Sequence, residues 1–267
     1  MNIQAIAFDL DDTLLRDNRT ISPYTIDVLH RAHEAGIRII PASGRVRDSM
    51  IGFVRQIGCA DIYISGNGAQ VWSSGHEMLM EEALSPELAR EIGQFAEEQH
   101  CYAQTYACEH FYYNHDGYWA REYAAFASLT GFCVGNLALY QKTTTPKVLI
   151  MDSPERIAEL YLLAKERFGD RTAIACSKPT FLEINPIRAT KGNALSWCAQ
   201  RMGFSLENTM AFGDSLNDLS MLTAVGHGIV MSNGWEEVKA YGFPQADINE
   251  RDGVARYIEE HVLGGQP

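Results

Sequence analysis

Three carboxylates in four residues, Asp9, Asp11 and Asp12, follow a short apolar run in Phe8-Asp9-Leu10-Asp11-Asp12-Thr13. Like charges this close at a strand end raise one another's pKa and cost desolvation, a conflict that a divalent cation removes. In an extended segment Asp9 and Asp11 point the same way, so both could face one reacting phosphorus. Oxygen-only ligands suit Mg²⁺, which binds through few carboxylates plus water and substrate phosphate. A carboxylate nucleophile giving an aspartyl-phosphate is known chemistry. Taken alone, the segment fits a solvated acidic turn or a helix N-cap cluster equally well.

Three further segments carry candidate groups. Ile39-Ile40-Pro41-Ala42-Ser43-Gly44-Arg45 reads as a strand running into Ser-Gly and then a helix. Ser43 there offers a hydroxyl beside free backbone N–H groups, a phosphate-binding arrangement, or else a plain N-cap. Lys191, in Arg188-Ala189-Thr190-Lys191-Gly192, enters a helix, where the dipole disfavours a cation and an anionic partner is wanted; a solvated lysine is the alternative. In Ala211-Phe212-Gly213-Asp214-Ser215-Leu216-Asn217-Asp218, Asp214 ends a strand as Asp9 does, a natural second metal carboxylate. Ser215 and Asp218 match a capping box in outline, so Asp218 is open to a structural role.

All four segments need the same address, the carboxyl end of a strand in an α/β sheet, where ligands bind in doubly wound folds. The elements that would supply it are legible. Apolar runs over Gln4–Leu10, Ile37–Pro41, Asp61–Ile64, Thr209–Phe212 and His227–Val230 read as strands. Helical spacing covers Ser22–Glu34, Val46–Ile57, Lys191–Met202, Leu216–Ala224 and Gly253–His261. Short β-α-β spacing implies parallel strands. The character changes between about Glu82 and Pro186, where most tyrosines lie. There the helical runs Ser85–Gln99 and Pro154–Phe168 alternate with strands at Val148–Met151, Thr172–Cys176 and Phe181–Ile184, as in a second α/β unit inserted into the first. The aromatic cluster from Tyr102 to Tyr123 is expected to form the core of that insertion.

Composition narrows the class. The 267 residues carry a net charge of −12, which argues against nucleic acid or an anionic membrane surface as partner. An acidic phosphate-binding protein must then supply positive charge locally. No apolar stretch approaches the ~20 residues that cross a bilayer, and no basic segment precedes a hydrophobic one at the N-terminus, so neither a membrane span nor a signal peptide is expected. Six cysteines without a C-x-x-C pair suggest reduced thiols in a cytoplasmic protein. The histidines lack zinc spacing, Gly66-Asn67-Gly68 is too short for a dinucleotide fingerprint, and neither Ser43 nor Ser215 sits in a G-x-S-x-G elbow.

In this order the four motifs resemble the haloacid dehalogenase superfamily, with D-x-D-x-[TV] at Asp9 to Thr13, then Ser43, then Lys191, then G-D-x-x-x-D at Gly213 to Asp218. The resemblance covers nearly the whole chain. The insertion between the second and third motifs looks like the Cof-type sugar-phosphatase-like branch, as do Ser65-Gly66-Asn67-Gly68-Ala69 and Met231-Ser232-Asn233-Gly234. It implies a doubly wound, mainly parallel, Rossmann-like α/β core over residues 1–82 and 187–267, with an α/β cap domain over 83–186. It further implies a phosphatase acting on small phosphate monoesters, or a phosphomutase on the same scaffold. By resemblance Asp9 is the nucleophile and Asp11 the general acid and base. Mg²⁺ is held by Asp9, the Asp11 backbone carbonyl and Asp214. Ser43, Gly44, Lys191 and Asn217 hold phosphoryl oxygens, and Asp218 supports Lys191 or a metal-bound water. Asp12 stands where this branch commonly carries glycine. Specificity is expected on the cap, near Glu183. The expected partner is a small phosphorylated metabolite, and the expected state a monomer or small homo-oligomer.

Overall fold

The computed structural model describes residues 2–107 and 110–264; Cys108, one of the six thiols above, lies outside them. The chain opens with β1 (Ala5–Phe8), α1 (Pro23–Glu34), β2 (Arg38–Pro41), α2 (Arg47–Ile57) and β3 (Ile62–Ser65), then a hairpin, β4 (Gln70–Ser73) and β5 (Met78–Glu81). The insertion follows as α3 (Pro86–Glu98), β6 (Tyr102–Ala107), β7 (His110–Tyr113), α4 (Tyr118–Ala127), β8 (Thr130–Cys133), α5 (Leu137–Tyr140), β9 (Val148–Met151), α6 (Pro154–Phe168), β10 (Thr172–Lys178) and β11 (Phe181–Pro186). The chain then returns with α7 (Lys191–Met202), β12 (Thr209–Gly213), α8 (Leu219–Ala224), β13 (His227–Met231), α9 (Glu236–Lys239), β14 (Gln245–Ala246) and α10 (Gly253–His261).

Five parallel strands, ordered β14-β13-β12-β1-β2, form the core sheet. Along β1 the side chains alternate between two apolar layers. Ile6 and Phe8 join Val28, Leu29 and Ile258 on one face, while Ala5 and Ala7 join Leu195 and Met221 on the other. Burial on both faces, by helices from both halves of the chain, is what lets a parallel sheet form. The fold is the expected doubly wound α/β sheet with an inserted α/β cap. The cap has its own six-stranded sheet, β10-β11-β9-β6-β7-β8, paired antiparallel except between β7 and β8.

Local chemistry explains the boundaries. α1, α3 and α6 each begin with Ser-Pro, and Ser22, Ser85 and Ser153 accept a hydrogen bond from the backbone N–H three residues on. Proline at the first helical position loses only an N–H that had no helical partner. β3 extends the core sheet through a bridge from Ala42 to Ile64, then turns into the β4–β5 hairpin, an antiparallel addition the sequence reading did not anticipate. β5 is largely exposed and lacks the periodic apolar face that makes a strand legible.

Register decides where the chemistry goes. Phe8 pairs with Phe212 on one side and Pro41 on the other, so Asp9, Ser43 and Asp214 leave three neighbouring strands at one edge. Beneath them the loop Gly66–Gly68 packs against the start of α7, with Asn67 at φ 58° and Gly68 at φ 100°. A Cβ on Gly68 would lie 2.2 Å from the Thr190 carbonyl oxygen, and Thr190 caps the helix that begins with Lys191. Gly68→Ala is therefore expected to cost about 1–3 kcal/mol through overpacking, or roughly 2–4 °C of Tm per kcal/mol for a chain of this size. Thermal melting of the variant checks this, and an unchanged Tm would show that the loop yields freely.

Candidate active site

Asp9 follows β1, and its N–H donates to the Phe212 carbonyl at 3.0 Å, locking it beside the end of β12. The chain then makes a tight turn over Leu10–Leu14, in which Asp12 takes a left-handed conformation, φ 59°. Aspartate tolerates that region better than most residues. The turn returns Thr13 towards the sheet, where its Oγ1 donates to Asp214 Oδ1 at 2.8 Å.

Lys191 is completely buried. Its ammonium donates to Asp9 Oδ1 at 2.5 Å and to Asp218 Oδ1 at 2.6 Å. The solvated-lysine alternative does not apply. Asp218 serves both expected roles, since its other oxygen accepts from the N–H groups of Asp214 and Ser215 at 3.0 Å each. That fold-back explains Gly213, where a Cβ would meet the Asp218 Cβ at 2.4 Å.

Ser43 is not a helix cap, because α2 starts at Arg47 with Val46 at its N-cap. The Ser43 N–H donates to Ile64 O at 2.9 Å and its hydroxyl accepts from the Arg45 N–H at 3.2 Å, so residues 43–45 form a loop over the sheet edge. Arg45, to which the sequence reading gave no role, holds both oxygens of Asp11, Nε to Oδ2 at 2.7 Å and Nη2 to Oδ1 at 2.8 Å. Asn217 donates to Asn67 Oδ1 at 2.9 Å. Asp9, Asp11, Ser43, Gly44, Asp214 and Asn217 all line one cavity, with Lys191 and Asp218 buried behind it.

The cap closes this cavity. Tyr123, Phe126, Lys147, Ser177, Lys178, Phe181 and Glu183 line its other side. Glu183, expected near the specificity region, is instead paired with buried Lys147 at 2.8 Å and accepts from Asn67. Lys147 also donates to the Gly44 carbonyl at 2.6 Å, tying cap to core. The signal for this pair was present, because a glutamate within the apolar run Phe181-Leu182-Glu183-Ile184 asks for a buried cation. The expected aromatic core is largely present, with Tyr102, Tyr106, Phe111, Tyr113 and Tyr123 buried. Tyr118 is exposed and Trp119 only partly buried.

The electrostatics are unbalanced in one direction. Burial pushes Asp9 up, Lys191 pulls it down, and Asp218 and Asp11 push it up again, with a raised pKa as the net result. Asp214 is raised well above the ordinary range, by burial first and then by Asp218 and Asp9. Burial works against the Lys191 charge, but Asp218 and Asp9 outweigh it and hold its pKa above that of an ordinary lysine. Burial also pushes Asp11 up, yet the Arg45 fork overcomes it and keeps this carboxyl below the ordinary range. Asp9, Asp214 and Asp218 present oxygens within 4.8 Å of one another. Four carboxylates face two cations, Lys191 and Arg45, so the donor set fits a hard divalent cation, with Asp9 and Asp214 the carboxylates nearest to free for it.

A family model described as haloacid dehalogenase-like hydrolase matches residues 6–258. The chain belongs to that family. The HMP-PP phosphatase of Klebsiella pneumoniae is 31% identical over 244 residues, 88% of this chain and 86% of the relative. A solved Thermotoga maritima structure superposes with a TM-score of 0.82 at 31% identity, covering 97% of each chain. A haloacid dehalogenase-like hydrolase from Bacteroides thetaiotaomicron gives 0.85 at 26% identity, covering 97% of this chain and 99% of its own. The chain is an enzyme of the phosphatase class in this hydrolase family, and its likeness to the Cof-type, α/β-capped branch stands. No helix among the described residues is long and apolar enough to cross a membrane.

The charge imbalance makes a stability prediction. A divalent cation at a hundredfold over its Kd should add about 2.7 kcal/mol to the wild type. Asp214→Asn should lose most of that gain, yet melt no lower than the wild type without metal, because a buried like charge becomes a neutral amide that can still accept from Thr13. Thermal melts with and without Mg²⁺ check both halves; an undiminished Mg²⁺ shift in the variant would place the cation elsewhere.

Proposed function

We propose that this protein is a Mg²⁺-dependent phosphatase of small phosphate monoesters, working through an aspartyl-phosphate on Asp9. The observation that carries this reading is the buried Lys191, which holds Asp9 on one side and Asp218 on the other at the edge where Asp214 also arrives. Residues 1–82 and 187–267 are the catalytic unit in this reading, and residues 83–186 cover it. The reduced thiols fit a cytoplasmic enzyme, and the five described cysteines form no disulfide.

Asp9, the Asp11 carbonyl and Asp214 would hold Mg²⁺, which supplies charge stabilisation to the phosphoryl oxygens when bound. Lys191 fixes one Asp9 oxygen at 2.5 Å, leaving the other to attack. As the Asp9 oxygen bonds to phosphorus, the ester P–O bond breaks and the leaving oxygen takes a proton from Asp11. Water then attacks phosphorus, gives its proton to Asp11 and frees Asp9 with release of phosphate. Ser43, Gly44, Lys191 and Asn217 supply donors around the equatorial oxygens, where fixed dipoles need no reorganisation during the reaction. Asp218 acts through Lys191 as a positioning residue.

The Arg45 fork gives Asp11 a definite starting state. Held by two short bonds, it is a carboxylate, the form needed as base in the second half-reaction. To act as acid in the first half, the pair must loosen as the phosphoryl group enters beside Arg45, and Asp11 must take up a proton from solvent before it gives one to the leaving oxygen. The HMP-PP phosphatase among the relatives supports small phosphorylated metabolites as the substrate class.

Asp9→Asn should abolish phosphate release from p-nitrophenyl phosphate with Mg²⁺ on protein that still unfolds in one cooperative transition, if at a lower Tm because Lys191 loses one of its two buried carboxylates. Turnover within tenfold of wild type would refute the nucleophile assignment. For Asp11→Asn a loss of about 10²–10⁴-fold in kcat is expected, the usual span for a missing general acid/base; a negligible loss would remove Asp11 from proton transfer. Isomerised sugar phosphate without release of inorganic phosphate would mark a mutase instead.

A further inference from the structure

We propose that the cap side of the cavity selects phosphate esters whose leaving group carries a second negative charge, and that Lys178 is the group that reads it. This rests on the phosphatase reading above and deepens it by naming the substrate class. In phosphoryl transfer the attacking and leaving oxygens stand roughly in line, so a leaving group departing opposite Asp9 is directed into the cap half of the cavity.

Lys178 is placed there by an irregularity in the fold. It ends β10, and the pairing of β10 with β11 shifts between Cys176 and Lys178. A bulge breaks the alternation of a strand and re-aims a side chain. Consecutive residues Ser177 and Lys178 thus both line the cavity.

The neighbouring cations are already paired, whereas Asp12, which also lines the cavity, forms no ion pair among the described residues and only feels the Lys178 charge. Lys147 is held by Glu183 at 2.8 Å, and that same contact, with hydrogen bonds from Ser177 and Asn67, neutralises the one cap carboxylate lining the cavity. Arg45 is held by Asp11. Lys178 makes no ion pair among the described residues. Its ammonium stands 4.2 Å from the Phe126 ring centroid and 5.8 Å from that of Phe181. Asp11 and Asp12 feel its charge without touching it. Arg19 stacks on the same Phe126 ring at 4.6 Å and donates to the carbonyls of Ala125 and Phe126, adding positive potential at the same edge. In a chain of net charge −12, an unpaired ammonium held on aromatic faces inside a cavity is a site for an anion. A carboxylate or a second phosphate on the leaving group meets the same requirement.

The experiment compares kcat and KM with Mg²⁺ for matched substrates: 3-phosphoglycerate against glycerol 3-phosphate, 6-phosphogluconate against sorbitol 6-phosphate, and fructose 1,6-bisphosphate against fructose 6-phosphate. The first two pairs read a carboxylate and the third a phosphate. Wild type should favour the doubly anionic member of at least one pair by tenfold or more in kcat/KM. In Lys178→Met that ratio should collapse towards one, chiefly through KM, and Lys178→Arg should restore part of it. No preference in the wild type, or a ratio retained in Lys178→Met, overturns the proposal. Absence of phosphate release from all six and from p-nitrophenyl phosphate would overturn the phosphatase reading itself, and this inference with it.

Discussion

A lysine with no access to water, clasped between two carboxylates, is the interaction on which the rest of the site depends. Taking Lys191 out of water is expensive, and only close partners repay it. Asp9 and Asp218 do so at 2.5 and 2.6 Å. That solution creates a second problem, because Asp214 is drawn into the same buried space and like charges then raise one another's pKa. Thr13 and the backbone N–H groups on Asp218 relieve part of this, and a divalent cation would relieve the rest. Asp9, Lys191, Asp218 and Asp214 are therefore one charge balance rather than separate features.

The same balance fixes what the backbone must do. Asp218 reaches Lys191 only because Gly213 leaves it room, and Lys191 enters its helix only because Gly68 lies flat beneath Thr190. Between cap and core a second buried chain runs from Lys147 through Glu183 and Asn67 to Asn217. It joins the loop at Gly44 to the loop at Asn217, two candidate phosphoryl-binding segments, so that cap closure and the geometry of those loops are coupled through hydrogen bonds. Closure also lowers the local dielectric, which strengthens each charge interaction inside.

Much of this was readable from residues alone, for identifiable reasons. Parallel strands buried on both faces are continuous apolar runs, and β1, β2, β12 and β13 fall close to where the sequence places them. Ser-Pro starts at α1, α3 and α6 carry their own capping chemistry. The strand-end positions of Asp9, Ser43 and Asp214 follow from those runs, whereas Lys191, expected at the same address, arrives as the first residue of α7 after the cap strand β11. What escaped was the part set by tertiary contact. The β4–β5 hairpin escaped because β5 is exposed and has no apolar face, and β6, β7 and β8 escaped because they lie in the tyrosine-rich stretch read only as an aromatic core. Ser43 looked like a cap because strand-Ser-Gly-helix is a capping pattern, yet the helix begins four residues later. Arg45 gave no signal, since its meaning lies in a carboxylate 34 residues away.

Arg45 also shows why proton transfer at Asp11 cannot be separated from binding. A guanidinium fork lowers the pKa of its carboxylate more effectively as water is withdrawn, and here Arg45 is buried while Asp11 is half-buried. In the proposed mechanism the entering phosphoryl group, a stronger anion than a single carboxylate, would share the cavity that Arg45 lines. As it competes for the guanidinium, the hold on Asp11 weakens and burial again dominates, driving that pKa upward. In that mechanism substrate arrival favours the protonated acid, transfer of that proton to the leaving oxygen leaves Asp11 as the base for water, and phosphate departure lets the Arg45 fork re-form. Occupancy of the site then sets the starting protonation of Asp11, and the first chemical step supplies the base.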